Sequence, residues 1–298
     1  MDQCVRERFV VVDDFLPEED SLSMRKDIED HFSNPDKHSP SIHQVWNYWY
    51  VPASYTYLRT TPEKVIAREK VERFVERLRN WSAQNLGFAN VTWPYLSLYV
   101  PGCVQGLHND STNGRLGFVY SLTPNSRQTI GGETVLVQDR DLFRSNLNRA
   151  AAGIGLYDLV PPQFNRLILF DDRIPHAVQR VDGSMDPLEG RIVLHGHISE
   201  AGVVAEGALP GDVIQATING ALAEVREFVD STVNGPLVFR LEIGATGRVD
   251  ASRILLDRLA SSDSEDLDVL RGEIAERISA VQFPTGSSPT VANVPLIF

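Results

Sequence analysis

Two short stretches hold the residues best suited to chemistry. In Leu96–Asp110 an apolar run passes through Pro101-Gly102 and ends in His108-Asn109-Asp110. In an extended segment residues i and i+2 project to the same face, so His108 and Asp110 are aligned to grip one ion from one side. One imidazole nitrogen with one carboxylate oxygen suits a borderline metal such as iron(II), manganese or zinc. The second stretch, Arg173-Ile-Pro-His176-Ala-Val-Gln-Arg-Val181, offers another histidine. His176 would complete a facial triad that leaves coordination positions open for oxygen and a co-substrate. Farther on comes Gly190-Arg191-Ile-Val-Leu, which supplies a guanidinium.

A lone His-x-Asp arises often by chance; the ordered set does not. Phe9-Val-Val-Val-Asp-Asp-Phe-Leu-Pro-Glu-Glu19, the Tyr99 strand, His108-Asn-Asp110, Gly131-Gly-Glu-Thr134, Pro175-His176 and Gly190-Arg191 follow one another in order. Together they resemble the iron(II)/2-oxoglutarate dioxygenases, and within them the prolyl 4-hydroxylase-like branch, over residues 8–198. The resemblance implies a double-stranded β-helix, or jelly roll, with N-terminal helices packed on one sheet. It implies His108, Asp110 and His176 as iron(II) ligands, with 2-oxoglutarate and O2 as co-substrates and ascorbate as a supporting reductant. Hydroxylation of an unactivated C–H would then release succinate and CO2. Halogenating relatives lack the carboxylate ligand, so Asp110 favours hydroxylation.

Within that resemblance Arg191 is assigned the far carboxylate of 2-oxoglutarate, because a guanidinium is always charged and its planar fork matches a carboxylate. Family members often carry Ser or Thr two residues after this arginine; here the place is Val193. A second hydrogen bond must come from elsewhere, with Tyr99 the leading candidate and Ser121 the next. On a strand Arg191, Val193, His195 and His197 share a face. The two histidines either touch substrate or co-substrate or are hydrogen-bonded core residues. The branch points to a prolyl or other peptidyl substrate; a free amino acid, a small natural product, or a non-catalytic interaction role are the alternatives.

The chain that must position these residues has 298 of them, 42% hydrophobic, enough for a sizeable core. Its formal net charge is -12, with no Lys/Arg-rich run, which disfavours nucleic acid as a partner. Cys4 and Cys103 are the two cysteines, so neither a disulfide framework nor a cysteine zinc site is expected. Cys103 reads as a small turn residue. No signal-like segment or membrane-length apolar run is visible, and a reducing cytoplasm is the expected location.

Pro17-Glu-Glu-Asp opens a helix with acidic residues at its positive end. The stretch 31–60 carries His31, His38 and His43 without ligand spacing and reads as a loop over the barrel. Its aromatics Trp46, Tyr48, Trp49 and Tyr50 are either core cover or a substrate wall. Thr61-Pro62-Glu63 reads as a helix start, Val71, Phe74, Val75 and Leu78 as its apolar face, and Gly87 as its stop. Short strands follow at 95–100, 115–122, 133–137, 166–170, 177–181 and 191–198. Gly131-Gly132-Glu133-Thr134 reads as the structural start of one of them.

Near residue 205 the character changes, which divides the chain into an oxygenase domain, 1–205, and a smaller α+β domain, 206–298. A helix over 213–229, two strands across Gly244-Ala-Thr-Gly247, a helix from Leu267 and a last strand from Val291 make up the second. Over residues 233–298 it is similar to the C-terminal domain of TonB-type proteins, through Gly-x-Val after the hairpin turn, Phe283-Pro after the helix and the terminal Pro-Leu-Ile-Phe. That similarity implies either a homodimer or binding of an extended peptide by strand addition.

Overall fold

The structure, a computed structural model, describes residues 8–33, 45–110, 114–137, 156–229, 233–261 and 267–298. Cys4, His38 and His43 lie outside them. The described residues divide into two compact units, one within 8–77 and 91–198, the other within 78–90 and 199–298. The boundary expected at 205/206 falls inside a strand, Val204–Gly207.

The first unit is built on one curled antiparallel sheet. Its main strands are β1 (Phe9–Val12), β2 (Asn47–Val51), β3 (Tyr55–Thr60), β4 (Tyr95–Tyr99), β5 (Val104–His108), β6 (Leu116–Ser121), β7 (Thr134–Val137), β8 (Tyr157–Val160), β9 (Leu167–Asp171), β10 (His176–Val178) and β11 (Arg191–Ser199). Hydrogen bonding runs in the order β1-β9-β6-β11-β4-β3-β5-β10-β7-β8, with β2 on β3. The sheet curls at β3, whose Leu58–Thr60 half pairs with β4 while Tyr55 and Thr56 pair with β5. One strand serving both sides of the fold is how a jelly roll turns its corner. The architecture is mainly β with few helices, as the sequence led us to expect.

Helix α1 (Glu18–Ser33) carries Glu18, Glu19 and Asp20 in its first turn, where the helix dipole favours anions. Its buried Arg25 pins it by donating to the carbonyls of Leu122 at 3.2 Å and Leu188 at 2.8 Å. Helix α2 (Arg68–Leu86) buries Val71, Phe74 and Val75, the spacing read from the sequence. Phe74 meets Tyr120 with ring centroids 4.8 Å apart. Gly87, at φ +76°, ends the helix in a conformation that L side chains rarely adopt.

Two local expectations are corrected. Residues 47–60 form the hairpin β2–β3 rather than a loop, turning at Ala53, which sits at φ 60°. Thr61-Pro62-Glu63 begins only a 3-10 turn, Pro62–Lys64; the α-helix starts at Arg68.

The second unit carries a four-stranded sheet of β12 (Val204–Gly207), β13 (Pro236–Ile243), β14 (Val249–Asp257) and β15 (Thr290–Ile297), in the order β12-β15-β13-β14. The expected helix over 213–229 is two, α3 (Gly211–Ala221) and α4 (Ala223–Phe228), broken at Leu222, whose ψ is 4°. Ile214, Ile218 and Leu222, with Ile274 and Ile278 of α5 (Leu267–Ser279), bury against Leu237, Phe239, Leu241, Val294 and Leu296. The Gly244–Gly247 turn joins β13 to β14, and a Cβ at Gly247 would lie 2.0 Å from the Phe283 carbonyl oxygen.

Candidate metal centre and its cavity

His108 ends β5 and His176 begins β10, and the two are register partners across that antiparallel pair. Directly opposed residues bring their Cβ atoms to about 5 Å, so the rings are forced together; their centroids are 4.2 Å apart. Asp110, just beyond β5, is anchored by its own N–H donating to the Asp172 carbonyl at 2.9 Å. One ligand atom from each of His108, Asp110 and His176 lies within 4.8 Å of the others. Asp110 Oδ2 is 3.3 Å from His176 Nε2 and 3.9 Å from His108 Nε2.

Backbone carbonyls orient both rings. His108 Nδ1 faces Gly106 O at 2.8 Å and His176 Nδ1 faces Ile174 O at 2.9 Å. A carbonyl only accepts, so each Nδ1 carries the proton and each Nε2 presents a lone pair on the Asp110 side of the cluster. This is the tautomer that metal-binding histidines adopt when an outer partner holds the other nitrogen. Burial, then the neighbouring His176, push His108 below the ordinary imidazole range, which keeps it neutral and able to donate its lone pair. Burial alone would raise the Asp110 carboxyl, but the surrounding imidazoles of His176, His108 and His197 outweigh it and hold it down at about 2, so it is ionised. Two imidazoles beside a carboxylate make a donor set for a divalent cation, and the residues fit iron(II).

The cluster opens into a cavity of about 510 Å³ that also holds Tyr99, Thr134, Arg191, His195 and His197. Arg191 pairs in register with Tyr99 across β11 and β4. It is 1% exposed, stands over the Tyr99 ring at 4.7 Å, and donates from Nη2 to Thr134 Oγ1 at 3.3 Å. Its Nε finds no hydrogen-bond partner among the described residues. An unsatisfied, buried, charged donor is costly unless something fills its place; a carboxylate such as that of 2-oxoglutarate fits. Gly132 makes room for it, since a Cβ there would lie 3.1 Å from Arg191 Cδ.

Of the other predicted residues, Tyr99 reaches the cavity: it stacks on Tyr57 at 5.0 Å and donates to Gln105 Oε1 at 2.9 Å. Ser121 does not. It pairs with Val193, but it is 1% exposed, absent from the cavity lining, and its Oγ accepts from Thr123 N–H at 3.2 Å. His195 and His197 both line the cavity and both are hydrogen-bonded. His195 Nε2 meets Ser97 Oγ at 2.8 Å, and His197 Nδ1 meets the fully buried Asp172 Oδ2 at 3.2 Å. Burial would lower His197, but the Asp172 hydrogen bond and charge raise it; burial in turn raises Asp172. Cys103 packs among Tyr57, Tyr99, Val178 and Val181, as a small buried turn residue. Of the early histidines, His31 accepts from Trp46 Nε1 at 3.2 Å.

Sequence reasoning missed three cavity residues. Gln105, whose Nε2 lies 3.2 Å from His108 Nε2, is three positions from it and should face away from it on a regular strand. A register shift restores it: His108 pairs with His176 but Gln105 with Val178, so β5 carries an extra residue. Thr134 was read as structural, and it approaches Arg191. Arg59, alone among aromatics, gave no motif.

No family model matches the chain, and no curated protein matches it. Its fold is similar to that of solved structures at low identity. A Trichoplax adhaerens prolyl hydroxylase in complex with a hypoxia inducible factor oxygen degradation domain peptide fragment is 16% identical, with a TM-score of 0.46 over 64% of this chain and 82% of that one. A Pseudomonas putida prolyl-4-hydroxylase is 16% identical, with a TM-score of 0.46 over 65% and 94%. The non-heme alpha ketoglutarate dependent epimerase SnoN from nogalamycin biosynthesis is 12% identical, with a TM-score of 0.47 over 66% and 79%. At such identities, activity and substrate rest on this chain's own residues.

Proposed function

We propose that the chain is an iron(II)- and 2-oxoglutarate-dependent dioxygenase that hydroxylates an unactivated C–H and releases succinate and CO2. The observation that carries this reading is the convergence, in one cavity, of a His-Asp-His donor set and a buried guanidinium lacking a carboxylate partner. His108, Asp110 and His176 would hold the metal, and Arg191 with Thr134 the far carboxylate of 2-oxoglutarate. Bound iron would supply oxygen activation, the step that no side chain here performs. Tyr99 orients Arg191 through its ring and ties Gln105 to the metal side of the cavity. Tyr57, Tyr99 and Phe170 exclude water from it. Asp172 holds the Asp110 backbone and His197 at once. The test is succinate formation under air, which should require iron(II) and 2-oxoglutarate together and vanish in Asp110→Ala.

The substrate belongs to the class of peptide or protein side chains, prolyl or other, or to small amino acids and natural products. The second unit, TonB-like in its motifs, is assigned partner choice rather than chemistry. In its sheet β14 pairs on one side with β13 and closes the order, leaving an edge to which a peptide or a second copy could add. Lysine on such an edge discourages strand addition. A dimer seen by sedimentation for the native chain and dissolved by Ala251→Lys would support self-association; equal masses would reject it.

A further inference from the structure

The cavity contains a second guanidinium that the proposed chemistry leaves unused. Arg59, on β3, has its Cζ 3.6 Å from the centroid of the Trp49 ring and 4.1 Å from that of Tyr95. Both rings line the same cavity as the metal cluster. Stacking occupies the two faces of a guanidinium and fixes its plane, but it leaves the N–H edges free for in-plane hydrogen bonds. Burial raises the Tyr57 hydroxyl, and the charge of the nearby Arg59 opposes that rise. Among the described residues no carboxylate pairs with Arg59, and Asp110 is the sole carboxylate lining the cavity.

The charges therefore do not close. In the reading above Asp110 answers the metal and the far carboxylate of 2-oxoglutarate answers Arg191. Arg59 stays unanswered. Nor is it placed to share the duty of Arg191. Arg59 pairs in register with Ser97, which pairs with Val193, one same-face step beyond Arg191. That step is roughly 7 Å along the strand, and β4 lies between the two arginines.

Resting on the dioxygenase reading, we infer that the substrate carries a carboxylate, held edge-on by Arg59 between Trp49 and Tyr95. The carboxylate belongs to a free amino acid or to a peptide C-terminus. His195, hydrogen-bonded to Ser97 in the same row of the sheet, is neutral and adds no competing charge to the subsite. The alternative occupant, a neutral internal peptide segment, would leave Arg59 buried beneath it without a partner, at the cost that attends any desolvated charge.

The test uses metal-free protein, so it does not depend on turnover. The free L-amino acids, their N-acetyl derivatives and their amides are titrated by calorimetry, together with 2-oxoglutarate. Binding of at least one free or N-acetylated acid, with its amide at least tenfold weaker, is expected. Preference for the free or the N-acetylated form assigns the source to an amino acid or to a chain end. A charge-assisted bidentate contact is lost in Arg59→Gln, so the preferred acid should weaken by about tenfold or more there. Arg59→Lys, which keeps the charge without the stacked plane, should fall between the two. Far-UV circular dichroism checks that both variants fold, and the acid–amide contrast in the native chain stands without them. Equal binding of acid and amide, no binding by any acid, or an Arg59→Gln loss confined to 2-oxoglutarate would overturn the inference. Succinate formation without an Arg59-dependent acid would sink the subsite and spare the dioxygenase reading; the reverse result would do the opposite.

Discussion

Replacing Arg191 with methionine should harm binding while changing the stability of the ligand-free fold little. Methionine keeps an unbranched stem beside Gly132 and removes a guanidinium that is 1% exposed, with an Nε that has no partner among the described residues. Relief of such an unsatisfied buried donor is worth about 1–3 kcal/mol. Against it stand the 3.3 Å hydrogen bond to Thr134 and the contact 4.7 Å from the Tyr99 ring. A long neutral-acceptor bond and a cation–π contact contribute on the order of 1 kcal/mol each. Urea unfolding without ligand should therefore place Arg191→Met within about 1 kcal/mol of the native chain, on either side. With manganese(II) and 2-oxoglutarate at a hundred times its Kd, the native chain should gain about 2.7 kcal/mol. The variant should gain only what the metal alone gives. A ligand-free loss of more than about 2 kcal/mol would make Arg191 a structural residue, and equal gains with 2-oxoglutarate would place the carboxylate elsewhere.

Other expectations follow from the same contacts. Arg191→Lys keeps charge but loses the fork, so its 2-oxoglutarate requirement should rise about tenfold while its iron requirement changes little; a 2-oxoglutarate titration checks this. His108→Ala, Asp110→Ala and His176→Ala should each stay folded by circular dichroism and lose iron-dependent succinate formation, and near-native turnover in any of them removes that residue from the ligand set. Gly132→Ala, at φ +78° and 3.1 Å from Arg191 Cδ, should weaken 2-oxoglutarate binding by shifting the arginine, with iron binding intact. Burial, then Arg59, hold His195 at a pKa of about 3. Unfolded it titrates near 6.5, so between those values the unfolded chain binds the extra proton and stability falls with falling pH, at up to about 1.4 kcal/mol per pH unit. The stability of the native chain relative to His195→Gln should therefore fall as pH drops below about 6.5, and a difference that stays constant would show His195 already charged or exposed.

Much of the site was legible because chemistry and periodicity agreed there. His108, Asp110 and His176 announce themselves by residue type, and the run of β11 puts Arg191, Val193, His195 and His197 on one face whatever the fold. What stayed hidden depends on departures from regularity. The extra residue in β5 that turns Gln105 toward His108 leaves no mark in a pattern of alternation. The β2–β3 hairpin has no Asn-Gly or Asp-Gly turn, since Ala53 takes the positive φ, and its aromatic run does not alternate with polar residues. Ser121 pairs in register with Val193, but its hydroxyl is claimed by a neighbouring backbone N–H. Residues 78–90 are grouped with the C-terminal unit, a discontinuity to which composition along the chain is blind. Arg59 becomes meaningful only once Trp49 and Tyr95, far apart in sequence, are seen on its two faces.

The central claim is that His108, Asp110 and His176 bind iron(II) so as to leave room for 2-oxoglutarate anchored by Arg191. Mixing the protein anaerobically with iron(II) and 2-oxoglutarate tests it directly. A weak visible charge-transfer band should grow in with 2-oxoglutarate, saturate at one equivalent per chain, be absent in Asp110→Ala, and need more 2-oxoglutarate in Arg191→Lys. No band and no iron uptake by the native chain would contradict it.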